Sequence, residues 1–513
     1  CLQVSCGSGS QKYLIGVVST SETPSSLTAF TQSAIAGTTL AGDAAPGITM
    51  VSDAAAFFEA PIIAVGDRTA GTPAPPQQLL RDRQYDQARL AHAEAEARLR
   101  AAERRALDRL AVGGIDPQAM AAEIEQARTT MPPPSVGDTI PISVPGIDAS
   151  DLCTEYTDIN TVVRHVGTSA IYLEDVGNPL AESFTAAEYQ SWDVTLSGTT
   201  LPTIKSYFGD FADIPGLGLD DEGRIGVVIT KEVNKGANLL GFVAGADLLP
   251  TSDCASSDEA EVFYGQAPDP AGVHGTARSR EYVSTLMPVL IAHETTHILQ
   301  LTQLVYGGAA NKARWEMEGG ATLAEQLVGN ALLGHGGSGQ NLGATQFLEG
   351  YYGDGWYENW ADDLSTYFGR SSSGRVVNAP EQCTWVGNED DGNTGPCVGE
   401  GREVYGVPAT LLRFILDLYG PSYSGGETAL MRELTGSDQT GYSNLTTVTG
   451  DSMGLLLTLF GLDLWADGWV WHGRLTSWNL YPIMDLYTSV WGDLEPYTSS
   501  APEPTGSHSV RAG

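Results

Sequence analysis

Two spacings of apolar residues divide most of this chain. β-Branched runs of strand length fill Thr139–Val144, Thr161–Val166, Ala170–Leu173 and Arg224–Thr230, so a sheet is expected soon after residue 136. Helical spacing governs later segments. Leu286, Leu290, His293, His297 and Leu304 continue one stripe at helical steps, with polar residues elsewhere on the cylinder. Pro288 is expected to kink that helix or to start it. Val404–Tyr419 places Leu411, Leu412, Ile415 and Leu418 on one side, and Leu455–Leu464 is another apolar segment. Thr185-Ala186-Ala187-Glu188 has the order of a capping box ahead of a helix running towards Phe208.

The first third of the chain has a different texture. Residues 1–76 are rich in Ser, Thr, Ala and Gly and read as an extended tether, with short strand candidates at Tyr13–Val18 and Ala60–Val65. Gln77–Ala111 is dense in Ala, Arg, Glu and Leu without Gly or Pro, which predicts one long helix. Its inner stripe is mostly alanine and suits close packing on a partner helix or on another protein. Asp116-Pro117 starts a second helix, Gln118–Arg128, and Pro132-Pro133-Pro134 ends the hairpin. The expected organisation is a tether (1–76), a helical hairpin (77–135), a main domain (136–494) and a Pro/Ser/Gly-rich tail (495–513). The main domain is expected to be α+β, a mixed β-sheet subdomain plus a helical subdomain built around the His293–His297 helix.

Charge narrows the partners. Lys and Arg number 27 against 63 Asp and Glu, a net charge of −36. Such a surface repels nucleic acid and anionic membranes. Asp210, Asp213, Asp220, Asp221 and Glu222 crowd one turn, and Glu389-Asp390-Asp391-Gly392-Asn393 another. Both read as solvated turns, with Ca2+ loops as the alternative. No apolar run approaches the length of a membrane span.

The six cysteines form no C-x-x-C pair. Cys383 with Cys397, and Cys153 with Cys254, are the expected disulfides, which implies an oxidising compartment. Cys1 ahead of a Ser/Gly-rich stretch looks like the lipid-bearing residue of a processed bacterial lipoprotein; the alternative is a bridge to Cys6. The corresponding location is extracellular, or the bacterial surface or outer membrane with Cys1 as the membrane attachment. The hairpin within 77–130 reads equally as a spacer, a docking element for a protein partner or part of a propeptide.

The chemistry concentrates in His293-Glu294-Thr295-Thr296-His297. Residues four apart share a helix face, so the two histidines can offer nitrogens to one tetrahedral metal. Glu294, one step round, stands where a general base for metal-activated water belongs. Two histidines on an apolar face are also what a hydrogen-bonded core pair looks like, so a third ligand matters. Glu318 lies 21 positions beyond His297, in Trp315-Glu316-Met317-Glu318-Gly319-Gly320-Ala321. Gly319 and Gly320 there permit close helix approach, and His2Glu leaves a fourth position open.

H-E-x-x-H followed by W-x-x-E-G-x-A resembles the gluzincin metallopeptidases. This thermolysin-like clan includes the zinc aminopeptidases and the hyicolysin-type secreted endopeptidases. The looser likeness to the hyicolysin-like group spans about Val136–Leu464, as in Gly226-Val227-Val228-Ile229-Thr230. The resemblance implies one catalytic Zn2+ on His293, His297 and Glu318, Glu294 as general base and acid, and a peptide or protein substrate. In the clan's aminopeptidases a Y-x-K-G tyrosine stabilises the oxyanion. Tyr405 holds that place here, without the lysine and glycine, and Tyr351, Tyr352 and Tyr357 compete for the role. The G-x-M-E-N motif that grips a free N-terminus is absent, which favours endopeptidase activity. The rival expectations are a surface or structural lipoprotein keeping the fold without catalysis, and a carbohydrate-binding surface formed by the tryptophans of Trp465–Trp491.

Overall fold

The computed structural model describes residues 134–210, 224–236, 239–352, 355–367, 384–386, 403–466 and 477–480. It also describes 27–32, 98–105, 107, 119–120, 122–123, 483 and 506–511. The Tyr13–Val18 and Ala60–Val65 strand candidates, most of both expected hairpin helices, Cys1, Cys6, Cys383, Cys397 and both acidic turns apart from Asp210 lie outside these residues. Asp210 pairs with Lys205 at 2.9 Å.

The fold is α+β. Leu27–Gln32 (β1) pairs antiparallel with Gly506–Arg511 (β8) in a two-stranded sheet. The main sheet has six strands: Thr139–Pro145 (β2), Tyr156–Val166 (β3), Ala170–Asp175 (β4), Ile225–Thr230 (β5), Gly241–Val243 (β6) and Val262–Gln266 (β7). Their spatial order is β2-β3-β4-β5-β7-β6, with β4, β5 and β7 parallel and the other pairs antiparallel. β5 is central and buried almost throughout, as its unbroken Ile-Gly-Val-Val-Ile run requires. β3 starts earlier than its β-branched run, and its first residues, Tyr156, Thr157 and Asp158, are exposed. β6, three residues long, forms the sheet's outer edge.

Helices cover the sheet and build the second half. Residues 98–105 form α1. Its Leu99, Ala101 and Ala102 are buried, and Leu99, Ala102 and Leu107 join the same hydrophobic core as the sheet. The alanine stripe thus allows close packing, and what it packs on is this chain. Ala186–Thr195 (α2) begins with the expected capping box: the Thr185 hydroxyl accepts the Glu188 amide at 3.3 Å, and Glu188 accepts the Thr185 amide at 2.7 Å. The helix does not run regularly to Phe208. Pro202 has no amide to donate, and the chain widens through a π turn at Leu196–Thr200 before Leu201–Phe208 (α3). Lys231–Asn234 (α4) is a single turn after β5.

The long helix Arg280–Val305 (α5) carries the two histidines. Pro288 lies inside it and does not start it; Ser279 caps the N-terminus by accepting the Tyr282 amide at 3.1 Å. Arg314–Leu333 (α6) lies against α5 and ends at Gly334, whose φ of 70° is the left-handed cap conformation. Ala344–Tyr352 (α7), Glu358–Tyr367 (α8), Glu403–Tyr419 (α9), Gly426–Gly436 (α10), Gly441–Thr449 (α11) and Met453–Ala466 (α12) complete the helical layer. Among the described residues no single helix is long and apolar enough to cross a membrane. Cys153 and Cys254 are bridged, with Cα atoms 4.6 Å apart, joining the β2–β3 connection to the segment before β7.

Candidate metal centre

α5 and α6 bring three ligand atoms to one point. The Nε2 atoms of His293 and His297 are 3.2 Å apart. One Glu318 carboxylate oxygen lies 3.2 Å from His297 Nε2 and 3.5 Å from His293 Nε2. All three side chains are buried. The two histidines stand one turn apart on the inner face of α5, and Glu318 faces them from α6.

Glycine sets the position of α6. A Cβ on Gly319 would come 2.4 Å from Pro408 Cβ and 3.0 Å from its carbonyl carbon, so α9 crosses α6 closely there. Next to it, Gln300 Nε2 donates to the Met317 carbonyl at 3.3 Å, tying α5 to α6 at the level of the ligands. Glu316 fastens the start of α6 to α11 by accepting from Ala313 N at 3.0 Å and Asn444 Nδ2 at 2.8 Å. Trp315 is core, its ring edge-on to Trp385 at 5.3 Å.

The hydrogen-bond network assigns the imidazole protons. His293 Nδ1 lies 2.7 Å from Glu325 Oε1, and His297 Nδ1 lies 2.9 Å from Gln300 Oε1. Both outer nitrogens therefore donate, and both Nε2 atoms of the neutral rings present lone pairs. Two lone pairs and a carboxylate oxygen converging in a buried space repel unless a cation lies among them. That donor set fits a divalent metal ion. Without a metal, a proton serves the same need. Burial pushes His293 down, but its contacts with Glu318 and Glu325 outweigh this and hold it well above the ordinary histidine range. Burial, reinforced by the Arg100 charge, holds His297 below that range. Burial would raise Glu318, yet the two histidines keep it well below the usual carboxylate range.

Glu294 is fully buried beside this cluster, and the Arg100 guanidinium comes from α1 to within 3.7 Å of its carboxylate. Tyr405, on α9, is also adjacent: its ring stacks on His293 with centroids 6.2 Å apart, and the Arg314 guanidinium carbon lies 5.8 Å from its centroid. Two of the competing tyrosines are engaged elsewhere. Tyr351 donates to Asp362 at 3.2 Å and Tyr357 to Asn330 at 2.7 Å; the Tyr352 side chain lies outside the described residues. Trp478 is core, its Nε1 donating to Gln326 at 3.1 Å, and the side chains of the other Trp465–Trp491 tryptophans lie outside the described set.

Sequence reasoning missed Glu325, Gln300, Asn359 and Arg100. Asn359 Nδ2 donates to both Glu325 oxygens, at 3.0 and 2.9 Å, which fixes the carboxylate against His293. A signal existed for two of these. Gln300 follows His297 by three residues, and Glu325 follows Glu318 by two helical turns, so each shares its ligand's face. No protein-family model and no curated protein matches the chain.

Proposed function

We propose that this chain is a zinc-dependent endopeptidase, secreted or surface-anchored, that hydrolyses internal peptide bonds. The observation that carries the reading is the buried convergence of His293, His297 and Glu318 with Glu294 beside it. His293, His297 and Glu318 would hold the metal, which when bound supplies a positive charge that acidifies water and polarises a carbonyl. Zinc is favoured because two neutral imidazoles and one carboxylate are its usual catalytic donors.

The chain's own residues account for the rest. Glu294 takes the proton of the attacking water and passes it to the leaving amine. Glu325 and Gln300 keep the imidazoles oriented with Nε2 inward. Tyr405, whose ring stacks on His293, would offer its hydroxyl to the developing oxyanion, a role worth ~3 kcal/mol of barrier. The absence of G-x-M-E-N leaves no matching device for a free N-terminus, which favours internal bonds. The Cys153–Cys254 bridge suits an oxidising location outside the cytosol.

A second reading draws on the Arg100–Glu294 contact: a surface or structural lipoprotein that keeps this centre with little or no catalysis. The deciding experiment is Glu294→Gln with zinc content measured in parallel. The endopeptidase reading expects zinc retained and peptide cleavage reduced at least ~100-fold, the scale of a positioned general base. Undiminished cleavage by the zinc-loaded variant overturns Glu294 as base. Wild-type protein that binds no zinc favours the structural reading.

A further inference from the structure

Helix α1 covers an edge of the main sheet beside the metal ligands. β6 is an edge strand of the main sheet, and one of its backbone groups and one just past it are bonded to α1 side chains. The Val243 carbonyl accepts from Arg100 Nη1 at 3.2 Å, and the Gly245 amide, just past the strand, donates to Glu103 Oε1. Arg100 Nη1 also donates to Glu103 Oε2 at 3.0 Å, while Nη2 faces Glu294 at 3.7 Å. One Arg–Glu pair thus spans from the sheet edge to the carboxylate beside the metal ligands. Both side chains are buried.

α1 also walls the cluster. A small cavity is bounded by Arg100, Arg104 and Leu107 on one side and by Met317 and Glu318 on the other. Arg104 Nη2 reaches the Lys312 carbonyl at 3.4 Å, just ahead of α6. Charge favours this seating. The segment carries Arg98, Arg100, Arg104 and Arg105 against a single Glu103, in a chain of net charge −36. An extended peptide recognised at a strand edge uses the same kind of backbone carbonyl and amide that Arg100 and Glu103 now hold. The two cannot be there together.

We propose that α1 is an internal inhibitor: Arg100 and Glu103 close the sheet edge and cover Glu294, and hydrolysis requires the segment to leave. This rests on the endopeptidase reading. No bond is made or broken by the contact itself; release is a displacement of α1.

The test uses full-length protein loaded with zinc, wild type against the Arg100→Ala/Glu103→Ala double variant, with internally quenched peptides as substrate. Zinc loss to a soluble chelator is followed in the same samples. The proposal expects the variant to cleave at least about 10-fold faster, the scale of one charge-assisted hydrogen bond. It also expects faster zinc loss. A synthetic peptide of residues 98–107 added to the variant should restore inhibition, and the same peptide with Arg100→Ala should not. Equal or slower cleavage by the zinc-loaded variant overturns the proposal and makes α1 a fixed wall of the site. If neither protein cleaves although both hold zinc, the endopeptidase reading fails. The plug is then judged on zinc loss alone: faster in the variant upholds it as a cover, unchanged overturns it. Should the double variant not fold, Glu103→Gln, which keeps an acceptor for Gly245, and Arg100→Lys are read by the same two measurements.

Discussion

Glu325 Oε1 lies 2.7 Å from His293 Nδ1, and this contact holds the ring with Nε2 turned to Glu318 and His297. A carboxylate behind a ligating histidine fixes the tautomer and makes the ring a better donor. Glu325→Ala should therefore lower zinc affinity about 10- to 100-fold without removing any ligand. Glu325→Gln keeps an acceptor and should lose less. Competition against a chelator of known affinity measures both, and an unchanged affinity in Glu325→Ala would show that α5 alone orients His293.

Gly319 stands between a ligand and a helix crossing. Adding a Cβ would bring it 2.4 Å from Pro408 Cβ and 3.0 Å from the Pro408 backbone, so α6 and α9 must separate. Overpacking of this kind costs about 1–3 kcal/mol. Because Glu318 precedes Gly319, the shift also moves a ligand. Gly319→Ala should lower the melting temperature of the metal-free protein and weaken zinc binding. A variant that melts lower but binds zinc normally would confine the effect to packing.

Much of the site could be read from spacing, and the reasons for the rest are physical. His293 and His297 were legible because helical period and metal-ligand spacing coincide on α5. Glu318 was legible from the tryptophan before it and the glycines after it, which proved to be core packing and a close crossing. Glu325 and Gln300 were not singled out, since polar residues in a helix are ordinarily solvated and only the α5–α6 pairing buries them. Arg100 was the least legible. Its alanine-rich helix announced close packing, but nothing local showed that it would pack on the sheet edge and face Glu294. In the fold, the β-branched runs located β2, β4 and β5, whereas β6 is too short to carry a pattern and β3 opens on three exposed residues. Pro288 alone leaves a kink and a start open; it lies inside α5, so it does not start the helix.

The Cys153–Cys254 bridge closes a long loop, with a sequence separation of 101, that contains β3, β4, β5 and β6. Crosslinking so much chain restricts the unfolded ensemble, and its loss should cost about 2–5 kcal/mol. A Cys153→Ser/Cys254→Ser protein should unfold at correspondingly lower denaturant concentration, and reductant should shift wild type more than the variant. Equal midpoints for the two oxidised proteins would show that the bridge only records the compartment.

Asp247 and Asp258 share one hydroxyl, with Tyr264 Oη 2.9 Å from the first carboxylate and 3.0 Å from the second. A hydroxyl has one proton, so it cannot donate to both carboxylates at once. Burial pushes Asp258 up to about 6 and Asp247 well above the carboxylate range, the Asp258 charge adding to the latter. A carboxyl raised on folding contributes stability that is complete below its unfolded value, near 3.8, and is lost as pH rises through about 6. The Asp258 contribution to the melting temperature should therefore fall between about pH 4 and pH 6.5. Asp258→Asn removes the buried charge: its amide oxygen can accept the Ser143 amide, now bonded to Asp258 at 3.0 Å, and its amide nitrogen can donate to Tyr264. The variant should melt higher than wild type at pH 7–8, by up to ~2 kcal/mol in stability, with the difference vanishing near pH 4. Melting curves across that range decide it, and parallel pH profiles for the two proteins would show that Asp258 does not change protonation on folding.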